Sequence, residues 1–261
     1  IFYIEYIMEF KKQCVEYIWL GGKSEFRSKT RILEDVNELK DIPIWNFDGS
    51  STLQASGEDS EIIIKPIALF NDPLRGKNHK LVLCDTYTPK DKICENNYRP
   101  WALKIMNKHK IHEPMFGLEQ EYFLINPYDG KPLGFIENQS QGQFYCGVGL
   151  YNTFGSVIVE EHMQACLEAG IQLSGINAEV APGQWEFQVG PCIGIDSGDH
   201  LLIARYLLLK IAQKHNTIVC FEPKPLKGDW NGSGCHSNFS TKNMRIGTKR
   251  KKGIKFIYEA I

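Results

Sequence analysis

Apolar and polar positions along this chain fall into short alternating runs and a few longer stretches of helical spacing. "VEYIWL" (15–20), "EFRSKTRIL" (25–33) and "KLVLCDTYT" (80–88) are β-branched and aromatic-rich, and predict strands of a small β-rich unit over residues 15–90. The polar stretch "NFDGSSTLQASGEDS" between them predicts a loop. A linker then leads into a helix starting near Pro100. "PMFGLEQEYFLINP" predicts a strand closed by a turn in "NPYDGKP", and the Gly- and Gln-rich residues 131–155 predict a loop. "SVIVEEHMQACLEAGI" has the spacing of an amphipathic helix ended by Gly170. In "NAEVAPGQWEFQVG", two strand-like runs flank a Pro182-Gly183 turn, and Trp185 and Phe187 call for a core. "GDHLLIARYLLLKIAQKHN" predicts a second long helix, with Asp199 as its N-cap and Asn216 at its end. "TIVCFEPKPL" predicts a strand, and "GDWNGSGCHSNFST" a Gly-rich turn entering another. In "GIKFIYEAI", Ile254, Ile257, Tyr258 and Ile261 share one helical face. Together these elements predict an α+β class built around a mainly antiparallel sheet.

Composition narrows this only modestly. Apolar residues make up 43% of 261, enough for a core, and the formal net charge of −1 offers no global field for nucleic acid or anionic membrane. No apolar run approaches bilayer-spanning length. The opening "IFYIEYIMEFKK" carries Glu5 and Glu9 and does not have the form of a signal peptide; Met8 is a candidate start. Eight cysteines, none spaced C-x-x-C, lie in apolar runs and predict buried reduced thiols in a cytoplasmic protein. The last helical pattern stops without a closing Gly, Asn or Pro, which predicts a chain cut within an element.

The chemistry concentrates in acids. Glu119 and Glu121 in "GLEQEYFL" are two apart, so they project from one strand face while Gln120 and Tyr122 take the other. Glu179 and Glu186 sit on either side of the hairpin turn. Like charges beside core aromatics repel, and burial worsens the repulsion. A hard divalent cation relieves it, so these four carboxylates predict a Mg²⁺ or Mn²⁺ site, with His236 as a nitrogen ligand. "WNGSGC" offers glycines that let a ligand approach the backbone, and "WNFDGSST" places Asp48 in a turn between aromatics. Lys249 to Lys252 form a basic run that predicts a solvated loop.

The segments "WNFDGSST", "GLEQEYFL", "NAEVAPGQWEFQVGP", "GDHLLIARY" and "GDWNGSGCHSNFST" resemble glutamine synthetases of the eukaryotic type, in that family's order and at close to its spacing, from about residue 15 onward. The resemblance implies an N-terminal β-grasp domain over 13–91 and a catalytic domain over 98–261. The second would be a curved antiparallel sheet with flanking helices, of the glutamine synthetase/guanido kinase-like kind and incomplete at its C-terminal side. It implies an ATP-dependent ligase joining glutamate and ammonia through γ-glutamyl phosphate, with two or more Mg²⁺ or Mn²⁺ ions per site. It also implies a double-ringed homo-oligomer, a decamer, with sites between neighbouring subunits, and no nucleic-acid or membrane partner. Residue by residue, Glu121, Glu179 and Glu186 match ligands of one metal, and Glu119 and His236 match ligands of the nucleotide-side metal. Glu186, Phe187, Gln188, Val189, Gly190 and Pro191 match nucleotide contacts, with Asn238, Phe239 and Ser240. Trp230, Asn231 and Gly232 match the glutamate site; Asp48, from a neighbouring subunit, and Tyr145 match the ammonium site.

Two departures stand out. The family continues well beyond residue 261, and the further part carries another ligand Glu, the phosphate-holding arginines and the closing loop, so the resemblance implies that these residues alone do not turn over. The family is also usually acidic where the basic run stands. A non-catalytic structural or regulatory member of the fold, and a ligase using another amine or acid, remain the alternatives. The retained acids and His236 favour the enzyme, because paired buried charges are a poor route to stability.

Overall fold

The computed structural model describes residues 12–76, 78–137 and 141–261. The chain divides into two compact units, one up to Pro100 and one from Trp101.

The first unit is a five-stranded sheet. Its strands are β1 (Lys12–Leu20), β2 (Phe26–Glu34), β3 (Trp45–Asp48), β4 (Glu61–Asn71) and β5 (Lys80–Tyr87), in the order β2-β1-β5-β4-β3. β1 and β5 run parallel and the other neighbours antiparallel. Alternate residues of β1, Val15, Tyr17 and Trp19, enter a core with Val36, Ile42, Ile64, Val82 and Cys84. Trp19 stacks on Phe47 at 4.5 Å, and Tyr17 meets Trp45 edge-on at 5.3 Å. On the other face of β1 the buried Glu16 pairs with Arg75, which also holds buried Asp72 at 2.7 Å. The sequence pattern predicts neither β3 nor β4. Trp45–Asp48 was expected in the polar loop, and Pro66 interrupts the apolar run of β4. Pro66 is tolerated because the ladder with β5 shifts register between Pro66 and Ala68, at an irregularity where a donor is not required.

The second unit opens with α1 (Arg99–Lys108), followed by β6 (Met115–Ile125), α2 (Ser156–Ala169), β7 (Leu173–Ala178) and β8 (Gln184–Ile193). Then come α3 (Asp196–Lys214), β9 (Ile218–Cys220), β10 (Cys235–Ser240), α4 (Lys242–Ile246) and α5 (Gly253–Tyr258). The sheet is antiparallel in the order β10-β6-β8-β7; β9 pairs with the C-terminal end of β6, beyond β10. The architecture is α+β, as the sequence pattern predicts.

One face of this sheet lies under α2 and α3. Tyr122 and Phe187 are fully buried there, 6.0 Å apart between rings, and the His162 ring of α2 meets Phe187 edge-on at 5.0 Å. Leu207, Leu208, Ile203 and Ile211 of α3 are fully buried. α2 ends as expected at Gly170, whose φ of 86° suits the left-handed cap. α3 differs from expectation at its start: it begins at Asp196 with Ile195 in the cap position, so Asp199 is a buried residue of the first turn and not the N-cap. Asn216 follows the C-cap His215 with φ of 49° and stops the helix. β9 is shorter than "TIVCFEPKPL" suggests, because Pro223 and Pro225 lack the donors a ladder needs. The helix expected through Ile261 is recorded as Gly253–Tyr258. All eight cysteines are free. Cys84, Cys94, Cys166 and Cys192 are buried, whereas Cys146 and Cys235 are exposed, contrary to the expectation of uniformly buried thiols. Among the described residues no helix is long and apolar enough to cross a membrane.

Candidate functional site

The face of the second sheet turned away from α2 and α3 carries the acids. Antiparallel pairing puts Glu121 of β6 directly opposite Glu186 of β8, and Glu119 opposite Gln188. Their sequence neighbours Gln120 and Phe187 are also partners, on the helix-covered face. Glu179 lies just past β7, and its N–H donates to Gln184 O at 2.9 Å across the turn. That turn depends on Gly183, at φ 65°, where a Cβ would stand 2.8 Å from the Leu133 backbone. Glu121, Glu179 and Glu186 thereby offer oxygens that all lie within 4.8 Å of one another.

Two of the three carboxyls, Glu179 and Glu186, are raised. Burial first, and then the charges of Glu121 and Glu186, push Glu179 above the usual carboxylate range. Burial, and then Glu119 and Glu121, do the same to Glu186. Fixed N–H donors orient the groups. The Gly234 N–H donates to Glu121 Oε2 at 2.5 Å, and the Val180 N–H to Glu179 Oε2 at 3.1 Å. Three carboxylates converging within reach of one ion, with oxygen donors only, suit a hard divalent cation.

Beside this cluster, His236 of β10 sits in register opposite Glu119, its Nδ1 3.6 Å from Glu119 Oε2. Asn238 donates from Nδ2 to Glu119 Oε1 at 2.6 Å. His236, Asn238 and Ser240 share the acidic face by alternation. Phe239 takes the other, its ring 5.2 Å from Phe116. Phe187 and Val189 likewise turn their side chains away from the acids into the core, so any contact they make on the acidic face comes from the backbone. Gln188 stays on the acidic face, whereas Gly190 is buried and Pro191 exposed at the far end of β8.

The segment 230–232 is anchored beneath the turn. Trp230 packs against Phe135 at 5.0 Å and onto the cluster of Phe123, Ile125 and Ala181. Asn231 donates from Nδ2 to Gln184 Oε1 at 3.0 Å, and Gly232 O accepts from Gln184 Nε2 at 2.8 Å. Tyr145 is exposed, in a segment fixed by the Cys146 N–H donating to Ala178 O at 3.0 Å. Its hydroxyl is pushed up first by Cys146 and then by Glu179. Asp48 belongs to the first unit. There its carboxylate accepts from Ser50 N at 3.0 Å and Ser50 Oγ at 2.6 Å, capping a short 3-10 turn, and these bonds hold it below the usual range. The basic run is a surface turn: Lys249, Arg250 and Lys252 are exposed, while Lys251 bonds to Glu259 and lies 4.4 Å from the Phe256 ring.

Gly234, one of the two glycines of "WNGSGC", brackets Glu121 with its backbone, donating to its carboxylate and accepting from its N–H at 3.1 Å. Sequence reasoning did not single out Asn177, which stands opposite Glu186. Asn177 precedes Glu179 by two, and that alternation was the available signal.

Two family models match this chain: the glutamine synthetase beta-Grasp domain over residues 11–89 and the glutamine synthetase catalytic domain over residues 100–249. A chloroplastic glutamine synthetase of Brassica napus is 52% identical over 237 residues, covering 88% of this chain and 55% of that protein. Glutamine synthetase of Agaricus bisporus is 50% identical over 250 residues, 94% of this chain and 69% of its own length. That of Gallus gallus is 49% identical over 250 residues, 94% and 66% respectively. The chain thus spans between 55% and 69% of the length of these three relatives. With two matched domains, near-half identity across most of its length and a convergent carboxylate site on the second sheet, the chain belongs to the glutamine synthetase family.

Proposed function

We propose that this chain is the β-grasp domain and the metal-binding part of the catalytic domain of a glutamate–ammonia ligase that uses ATP and divalent cations. The observation that carries the reading is the convergence of Glu121, Glu179 and Glu186 within 4.8 Å, two of them raised first by burial and then by neighbouring carboxylates. In this reading those three hold one Mg²⁺ or Mn²⁺, and Glu119 and His236 contribute to a second. When bound, such ions neutralise phosphate charge and align the transferring group. The side-chain carboxylate of glutamate attacks the γ-phosphorus of ATP, releasing ADP and forming γ-glutamyl phosphate; ammonia then displaces phosphate. Trp230, Asn231 and Gly232, held by Gln184 and the apolar cluster, form the wall for glutamate. Gln188, Asn238 and Ser240, with the backbone of β8 and β10, face the nucleotide. Asp48 of a neighbouring copy in a ring-shaped oligomer binds ammonium and takes its proton near Tyr145, since ammonium has no lone pair until it loses one.

The test is metal linkage. Mn²⁺ at about a hundredfold its Kd is expected to stabilise the wild-type fold by about 2.7 kcal/mol, read as a rise in melting temperature. Glu186→Ala removes one of three ligands and should lose most of that rise. Equal rises in both proteins would overturn the site.

A further inference from the structure

The carboxylates of the cluster are joined by side chains between them. Asn177 of β7 donates from Nδ2 to Glu179 Oε1 at 3.1 Å. Its Oδ1 accepts from Gln188 Nε2 of β8 at 2.7 Å, and the same nitrogen donates to Glu186 Oε1. The path Glu179–Asn177–Gln188–Glu186 therefore spans two strands through two amides. Strand register builds it: Asn177 stands opposite Glu186, and Gly175 opposite Gln188, after a register shift between Leu173 and Gly175. A Cβ at position 175 would lie 2.5 Å from Gln188 Oε1, so the glycine leaves the space that Gln188 crosses to reach Asn177.

The amides also fix each other's direction. An amide has one accepting oxygen and one donating nitrogen. Turning the Asn177 amide over would set its oxygen against Glu179 Oε1 and its nitrogen against Gln188 Nε2, losing both bonds. Each carboxylate thus receives an N–H on one oxygen, as partners beyond the ligands do for metal-binding carboxylates.

We infer that Asn177 is a positioning residue, which through its bonds to Glu179 and Gln188 sets the separation and orientation of Glu179 and Glu186 for a shared divalent cation. The inference rests on the metal reading above. A purely structural Asn177 would tie β7 to β8 and leave cation affinity unchanged.

The experiment is a Mn²⁺ titration followed by the electron paramagnetic resonance of the free ion, on wild type, Asn177→Ala and Gly175→Ala, with metal-free melting of each. Asn177→Ala is expected to bind Mn²⁺ about 10- to 100-fold more weakly, with the metal-free melting temperature little changed. Gly175→Ala keeps Asn177 but crowds Gln188, and is expected to show a smaller loss in the same direction. Wild-type uptake with undiminished affinity in Asn177→Ala would overturn the positioning role alone. A wild-type protein that took up no Mn²⁺ would overturn the metal reading and this inference with it. Should Asn177→Ala fail to fold, Gly175→Ala decides, and unchanged affinity there overturns the inference.

Discussion

The two faces of the second sheet are built from alternate residues of the same strands, yet they handle polarity in opposite ways. Under α2 and α3 the polar groups are enclosed among apolar side chains, the neutral His162 among them. His162 Nε2 donates to Ala204 O at 2.9 Å and lies 3.2 Å from Cys166 Sγ, and burial pushes its imidazole down to about 4. On the other face the polar groups are acids crowded against one another, with Glu179 and Glu186 raised. The first face sets its polar groups among apolar side chains. The second sets acids against one another, a repulsion that an added positive charge would relieve.

The largest effect should come from breaking the covered face. Phe187 is fully buried between Tyr122 and His162, and Phe187→Ala is expected to cost about 3 to 5 kcal/mol in urea denaturation. Next comes pH. His162 is neutral in the folded state down to about 4, while the unfolded chain takes up a proton near 6.5, so stability is full above that value and falls as pH drops between the two. The loss should approach about 3 kcal/mol, and His162→Leu should flatten the slope. The acidic face gives the opposite sign. Its raised carboxyls keep protons that the unfolded chain has already lost, so in metal-free buffer its contribution to stability declines as pH rises above the usual carboxylate range. Glu186→Gln removes one of the crowded charges. At pH 7 without metal it should be more stable than wild type, read as a higher urea midpoint, and the gain should vanish toward pH 4. A Glu186→Gln protein less stable than wild type at pH 7 would mean that the acids are already compensated, and the contrast between the faces would fail.

Much of this was legible in the chain. The spacing of Glu119 and Glu121 assigned them to one face, and the Pro182-Gly183 turn brought Glu179 and Glu186 together, because alternation and turn chemistry are local properties. What was not legible depended on pairing between distant strands. That Glu121 faces Glu186 follows from the β6–β8 register, and the link from Asn177 to Gln188 follows from the β7–β8 register; no local pattern specifies either. β4 escaped notice because Pro66 breaks its run, and only the ladder with β5 shows how the proline is accommodated. The start of α3 was misjudged because Asp199 has the chemistry of a cap but lies within the first turn.

The shared-strand design also governs how the gene tolerates change. A substitution on β8 alters one face, but loss of a single codon among residues 187 to 189 would reverse the parity of every position on one side of it relative to β6. Carboxylates would then be carried toward the helices and aromatic rings toward water. Loss of two adjacent codons would keep the parity and shift only the register. In this strand, length is inherited in steps of two.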